Sequence, residues 1–237
     1  VYRQNMQVRA CVLLLVKEKK RMAHLLEVKD LTTVFMGDLG RTVSVDHVSF
    51  YVNPGEIVCI VGESGCGKSV TSLSIMGLLN QQGRVTEGSV RFDGTELLAL
   101  QEKELDRIRG NRMTMIFQDP LTCLNPVFTV GNQITESIRT HMKLSKAEAW
   151  KRAEEILQKV GMPDAEAVMK KYPHTLSGGM RQRVMIAMAL CCDPALLIAD
   201  EPTTALDVTI QAQIMNLIRK LKEENHMSII LITHDIG

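Results

Sequence analysis

Eight consecutive residues, Gly62-Glu63-Ser64-Gly65-Cys66-Gly67-Lys68-Ser69, follow the spacing G-x-x-x-x-G-K-[ST]. Glycines at these places let a backbone wrap closely around phosphate, with successive N–H groups turned inward as donors. Lys68 then neutralises charge on β- and γ-phosphates, and the Ser69 hydroxyl is a ligand for Mg²⁺. Val70 continues into a helix-forming stretch, Ser69 to Leu79, whose N-terminal dipole adds to the same attraction.

A second group lies far along the chain. The apolar run Ala195 to Ala199 ends in Asp200 and Glu201. At the carboxyl edge of a parallel sheet, beside a phosphate loop, the two acids are different tools. Asp200 holds the water shell of Mg²⁺, while Glu201 orients and deprotonates an attacking water. Adjacent strand positions point to opposite faces, so neighbouring acids can take separate roles. An Asp-Glu pair alone reads as a solvated turn; with the phosphate loop it reads as half of a nucleotide-hydrolysing centre. Ser177-Gly178-Gly179 has a third chemistry. Ser177 caps a helix whose first N–H groups face outward as an anion site, and the two glycines leave room for another body to approach the backbone.

The elements that position these residues alternate. Leu25 to Phe35 and Thr42 to Val52 read as strands, with a turn at Asn53-Pro54-Gly55. Glu56 to Val61 is a near-continuous apolar run suited to a strand buried on both faces. Gly88 to Asp93 and Met113 to Phe117 are further short strands. From about residue 127 to 192 the pattern is mostly helical, with amphipathic Ala147 to Val160 and apolar-striped Met180 to Cys192. Val208 to Glu224 reads as helix and Ser228 to Thr233 as strand. Strands alternating with helices imply a largely parallel sheet, here interrupted by a helical insertion.

Composition bounds the reading. With 237 residues, 45% hydrophobic and 23% charged, the chain is of ordinary globular character, and a net charge of +1 gives no reason to expect nucleic acid as a partner. No apolar run approaches the roughly 18–20 residues that span a bilayer. The cysteines, Cys11, Cys59, Cys66, Cys123, Cys191 and Cys192, lack zinc-site spacing and read as incidental or buried thiols in a reducing compartment. Residues 1–21 read as an extension outside the domain, with translation expected to start at Met22.

Leu176-Ser177-Gly178-Gly179-Met180 resembles the signature sequence of ATP-binding cassette (ABC) ATPases. Further matches follow in family order. Gln118, in Phe117-Gln118-Asp119-Pro120, resembles the Q-loop glutamine, which implies contact with Mg²⁺ and the attacking water. Asp207, in Ala205-Leu206-Asp207, resembles the D-loop aspartate at a dimer seam. His234, in Thr233-His234-Asp235, resembles the switch histidine on the γ-phosphate. Phe35 matches the aromatic that stacks on adenine, and reads equally as a core residue of the first strand. Tyr172 to Ala189, Asp119 to Pro126 and Glu201 to Thr209 are similar to the dipeptide/oligopeptide importer ATPases, a group that also includes nickel importers.

The resemblance covers Leu25 to Gly237 and implies a fold. This is an α/β phosphate-loop NTPase core with an antiparallel β subdomain and an inserted helical subdomain, ending early at Gly237. The expected boundaries are 22–118 for core and β subdomain, 119–192 for the helical subdomain and 193–237 for the core continued. It also implies ATP and Mg²⁺, and a head-to-tail pair of ATP-binding subunits, identical or distinct, in which Ser177, Gly178 and Gly179 of one face the nucleotide of the other. The pair would sit on membrane permease subunits at the cytoplasmic face, with a substrate-binding protein beyond the permease, and residues near Gln118 to Phe128 would receive the permease. Met180 replaces a common Gln and Cys66 a common Ser, the latter adding an oxidisable thiol to the loop. Two rivals are a soluble ABC protein of DNA repair or translation, which would carry a coiled-coil insertion or fused cassettes, and a fragment that binds nucleotide without a productive dimer.

Overall fold

The computed structural model describes residues 23–37, 40–119, 123–204 and 206–234. The proposed N-terminal extension, residues 120–122, Ala205 and Asp235 lie outside them. The described residues fall into two compact units: those through Gln101 together with Ile230 onward, and Glu102–Ile229.

Strands β1 (Leu26–Gly37) and β2 (Gly40–Val52) of the first unit are followed by β3 (Ile57–Val61), helix α1 (Lys68–Met76), β4 (Gly83–Phe92) and β5 (Thr95–Glu96). β2, β1, β4 and β5 lie in that order in one antiparallel sheet, Leu26 pairing with Val52 on one side and Phe92 on the other. Leu26, Val28, Leu31, Val34, Phe50, Val52, Val90 and Phe92 bury its inner face. The Thr33 and Ser74 hydroxyls, 2.8 Å apart and buried, pin α1 to β1.

Two expectations are corrected here. The strand expected at Gly88 begins at Gly83, because register shifts against β1 interrupt its pattern. Gly88 marks the irregularity: its φ is 95°, and a Cβ there would lie 2.5 Å from the Lys29 and Asp30 carbonyl oxygens. β3 is buried on one face only, through Val58 and Ile60, whereas Ile57 is 39% exposed. Among the described residues its hydrogen-bonded neighbour is the strand Ser228–Thr233, and Cys59 and Val61 beside Ile57 are only half-buried.

In the second unit the order is α2 (Glu102–Ile108), β6 (Met113–Ile116), α3 (Val130–His141), α4 (Lys146–Lys159), α5 (Ala165–Met169), α6 (Gly178–Leu190), β7 (Leu196–Asp200) and α7 (Val208–Asn225). β6 and β7 run parallel, Met113 opposite Leu196 and Ile116 opposite Ala199. β8 (Ser228–Thr233) starts here, its Ser228 N–H donating to Ala195 O at 2.9 Å. Every residue of β6 and β7 is buried, as continuous apolar runs require. Helices α3, α4, α5 and α6 pack on one another through Ile134, Ile138, Ala153, Leu157, Val168 and Val184. A capping box starts α4: the Ser145 hydroxyl accepts from Glu148 N, and Glu148 Oε2 accepts from Ser145 N. Among the described residues no helix is long and apolar enough to cross a membrane.

Candidate functional site

The stretch Gly62–Ser69 runs from the end of β3 into the first turn of α1, the strand-then-helix setting its sequence requires. Gly65 and Gly67 hold φ of 81° and 91°, the left-handed region that glycine enters without penalty. Gly67 is doubly constrained, since a Cβ on it would lie 2.3 Å from Ser44 O. The Lys68 side chain is 6% exposed and its ammonium donates to Gly62 O and Glu63 O, each at 2.8 Å. A buried cation thus spans the loop on two backbone carbonyls, which phosphate oxygens can replace with full opposite charge. No acidic residue occupies the first turn of α1 to oppose an anion there. Glu63, Ser64 and Cys66 contribute their place in the loop, Ser69 and Val70 the helix's first turn.

β7 delivers the carboxylates. Asp200 ends the strand at 4% exposure, and Glu201 follows with φ of 45°. Such a φ is rare for a non-glycine residue and costs roughly 1–2 kcal/mol, so surrounding structure must hold it. That structure is visible. Glu201 Oε2 accepts from Gln118 Nε2 and from Thr204 Oγ1, both at 2.9 Å, and Thr204 N–H donates to Glu201 O at 3.1 Å. Gln118 and Glu201 were expected to share an attacking water, and the fold brings them into direct contact.

Ser177 takes the N-cap of α6, its hydroxyl accepting from Met180 N at 3.3 Å. Ser177 and Gly178 are exposed and Gly179 half-exposed, so this helix terminus faces outward as anticipated. Gly179 has a reason inside its own unit as well: a Cβ would come within 3.2 Å of Ile210 Cγ2 on α7. Asp207 is exposed and caps α7, accepting from Ile210 N at 3.0 Å. His234 is exposed just past β8. Phe35 is half-buried against Gly83, whose missing side chain makes room for the ring: a Cβ would be 2.7 Å from Phe35 Cε1.

Three working residues escaped the sequence. Thr204 lies inside a familiar-looking turn, and only its contact with Glu201 reveals its part. Gln182, 1% exposed on α6, donates to Pro202 O and so ties the Ser177 helix to the loop that carries Glu201. Gln211 on α7 holds the same loop through Thr203 O and Leu206 O. A Gln on an otherwise apolar helix face was the one available signal for Gln182.

The proposed metal ligands Ser69, Gln118 and Asp200 offer hydroxyl, amide and carboxylate oxygens. This hard donor set suits Mg²⁺, which keeps waters and substrate oxygens in its shell and needs few protein ligands. Among the described residues there is no group of three or more His, Cys, Asp or Glu that could hold a metal.

Residues 45–204 match the protein family described as ABC transporter. The oligopeptide transport ATP-binding protein AppD of Bacillus subtilis is 54% identical over 217 residues, 91% of this chain and 66% of that protein. OppD of Salmonella typhimurium, of the same description, is 54% identical over 213 residues, covering 90% and 63%. Among solved structures, the dimeric post-hydrolysis state of the ATP-binding cassette MJ0796 bound to ADP and Pi aligns with a TM-score of 0.80 at 32% identity, over 89% of this chain and 88% of that one. The chain spans just under two thirds of the length of these curated relatives.

Proposed function

This chain belongs to the ABC transporter family, and from that membership we propose that it is the ATP-binding, ATP-hydrolysing subunit of an importer for dipeptides or oligopeptides. The carrying observation is Glu201, held in a rare backbone conformation at the end of β7 with its carboxylate fixed by Gln118 and Thr204. A general base must be fixed where its water will stand, and a salt-bridged or freely rotating carboxylate is not. The relatives' printed names support the solute, since no residue of this subunit contacts cargo in such a reading.

Lys68 and the N–H groups of Gly62–Ser69 bind the phosphates, and Phe35 covers the adenine. Mg²⁺, when bound with the nucleotide, neutralises the β- and γ-phosphate oxygens. Ser69, Gln118 and Asp200 would hold it. Glu201 takes the proton of the attacking water, and His234 stabilises charge on the γ-phosphate. Ser177, Gly178 and Gly179 serve the nucleotide of a second cassette, with Asp207 at the seam. The γ-phosphate then ties two subunits together, so ATP favours closure and hydrolysis releases it. The segment 119–192 acts as the helical subdomain, and exposed Val127 and Phe128 beside the loop clamped by Gln133 offer apolar surface to permease subunits at the cytoplasmic face. A substrate-binding protein would act through the permease.

The test is ATP turnover by the purified chain with Mg²⁺ beside Glu201→Gln. Turnover should fall by about 100-fold or more while ATP binding persists. Turnover unchanged in Glu201→Gln would remove Glu201 as the base and with it this reading.

A further inference from the structure

Helix α6 buries a single polar side chain among its apolar ones. Gln182 is 1% exposed, on the helix that also buries Val184, Met185 and Ile186, and its amide donates to Pro202 O. A buried amide is costly unless it is bonded, so the contact fixes both its direction and its partner. That partner carbonyl belongs to the residue directly after Glu201, in the segment that joins β7 to α7, and Pro202 is itself buried.

The backbone at this point is strained twice over. Glu201 has φ of 45°, and the proline after it favours an extended residue in its place. Both effects push Glu201 toward an extended conformation, which would swing its side chain out of its present position. Gln118 and Thr204 grip the carboxylate at 2.9 Å each, but they act at the far end of the side chain. Other bonds act on the backbone. Thr204 N–H donates to Glu201 O at 3.1 Å from within the turn, while Gln182 reaches Pro202 O from α6 and Gln211 Nε2 reaches Thr203 O at 3.3 Å from α7. Of the two that reach in from helices, Gln182 grips nearer to Glu201. We infer that Gln182 is a positioning residue for hydrolysis: by holding the Pro202 carbonyl on a buried helix, it keeps Glu201 in the conformation that sets its carboxylate against Gln118 and Thr204. The inference rests on Glu201 being the base proposed above. Gln182 acts through the backbone and not on the nucleotide.

The experiment is a double-mutant cycle in the purified chain, Gln182→Met against Glu201→Gln, with steady-state ATP turnover and equilibrium ATP binding measured for each. Methionine is close to glutamine in length and cannot donate. In Gln182→Met, kcat should fall about tenfold with ATP affinity unchanged. In the Glu201→Gln background the same substitution should change the residual rate by less than about twofold, because no base is left to misplace. A purely structural tether lowers the rate alike in both backgrounds, and that result overturns the inference. So does an unchanged kcat in folded Gln182→Met. Gln182→Asn, whose amide stops one methylene short of Pro202 O, is the second variant, read in the same two backgrounds should the Met variant not fold. Failure of the catalytic assignment shows separately, as a Glu201→Gln chain that turns over ATP like its parent.

Discussion

At the residue scale, the site is a matter of holding charged groups before their partners arrive. Lys68 rests on two carbonyls of its own loop, and Glu201 rests on an amide and a hydroxyl. Thr204 makes the sharper prediction, because it touches the carboxylate although no role of its own was read from the sequence. A hydrogen bond to a charged group contributes roughly 1.5–3 kcal/mol, and about 1.4 kcal/mol is tenfold in rate. Thr204→Val should therefore lower kcat about tenfold or more and leave nucleotide affinity unchanged, measured by steady-state turnover and equilibrium nucleotide binding. An unchanged kcat in a folded variant would mean that Gln118 alone positions Glu201. Lys68→Ala should act the other way round, removing charge from the phosphate loop and weakening ATP binding itself.

At the element scale, caps and glycines set where helices begin, and they can be tested apart from catalysis. Ser145→Ala should cost about 1 kcal/mol in urea denaturation at neutral pH. The same capping box holds the Glu148 carboxyl below its ordinary value, first through the Ser145 side chain. A depressed carboxyl adds stability above its unfolded value of 4.5, and that stability disappears as pH falls through the lower folded value. Ser145→Ala should flatten this acid-side slope; an unaltered slope would show that Glu148 is not stabilised by the cap. Gly67→Ala should lose at least about 1–2 kcal/mol from its positive φ alone, with the Ser44 carbonyl in the way besides.

These elements also mark what could be read in advance. The phosphate loop, the Asp200-Glu201 strand end and the Ser177 cap were legible because each joins a residue type to a switch in periodicity. β4 was cut short at Gly88 because a bulge breaks the period-two pattern without ending the strand. β3 looked doubly buried because its composition is that of an interior strand, whereas only Val58 and Ile60 are buried. Gln182 stayed hidden because a side chain that binds a backbone carbonyl twenty residues away leaves no spacing of its own, and Thr204 because a hydroxyl three residues past a carboxylate is ordinary in a turn.

For the whole molecule, the proposal requires two cassettes arranged so that the phosphate loop of each faces the Ser177 cap of the other. In a two-fold pair each contact is made twice, so the halves of one working site come from different chains. Complementation follows from that symmetry. Lys68→Ala disables a subunit's own nucleotide, while Ser177→Arg, at an exposed cap, disables only the nucleotide of its partner. Either variant alone should be inactive. In a random equimolar mixture half the pairs are mixed, and each mixed pair regains one intact site from Lys68 of one chain and Ser177 of the other. Turnover should recover to about a quarter of the parent's, provided the two sites act independently. A mixture as inactive as its components would show either that both groups serve a nucleotide within one chain or that the two sites must fire together. The second of these separates from the first by ATP-dependent association, which Glu201→Gln should display as a stable pair in size-exclusion chromatography, and which a single-chain site would not produce.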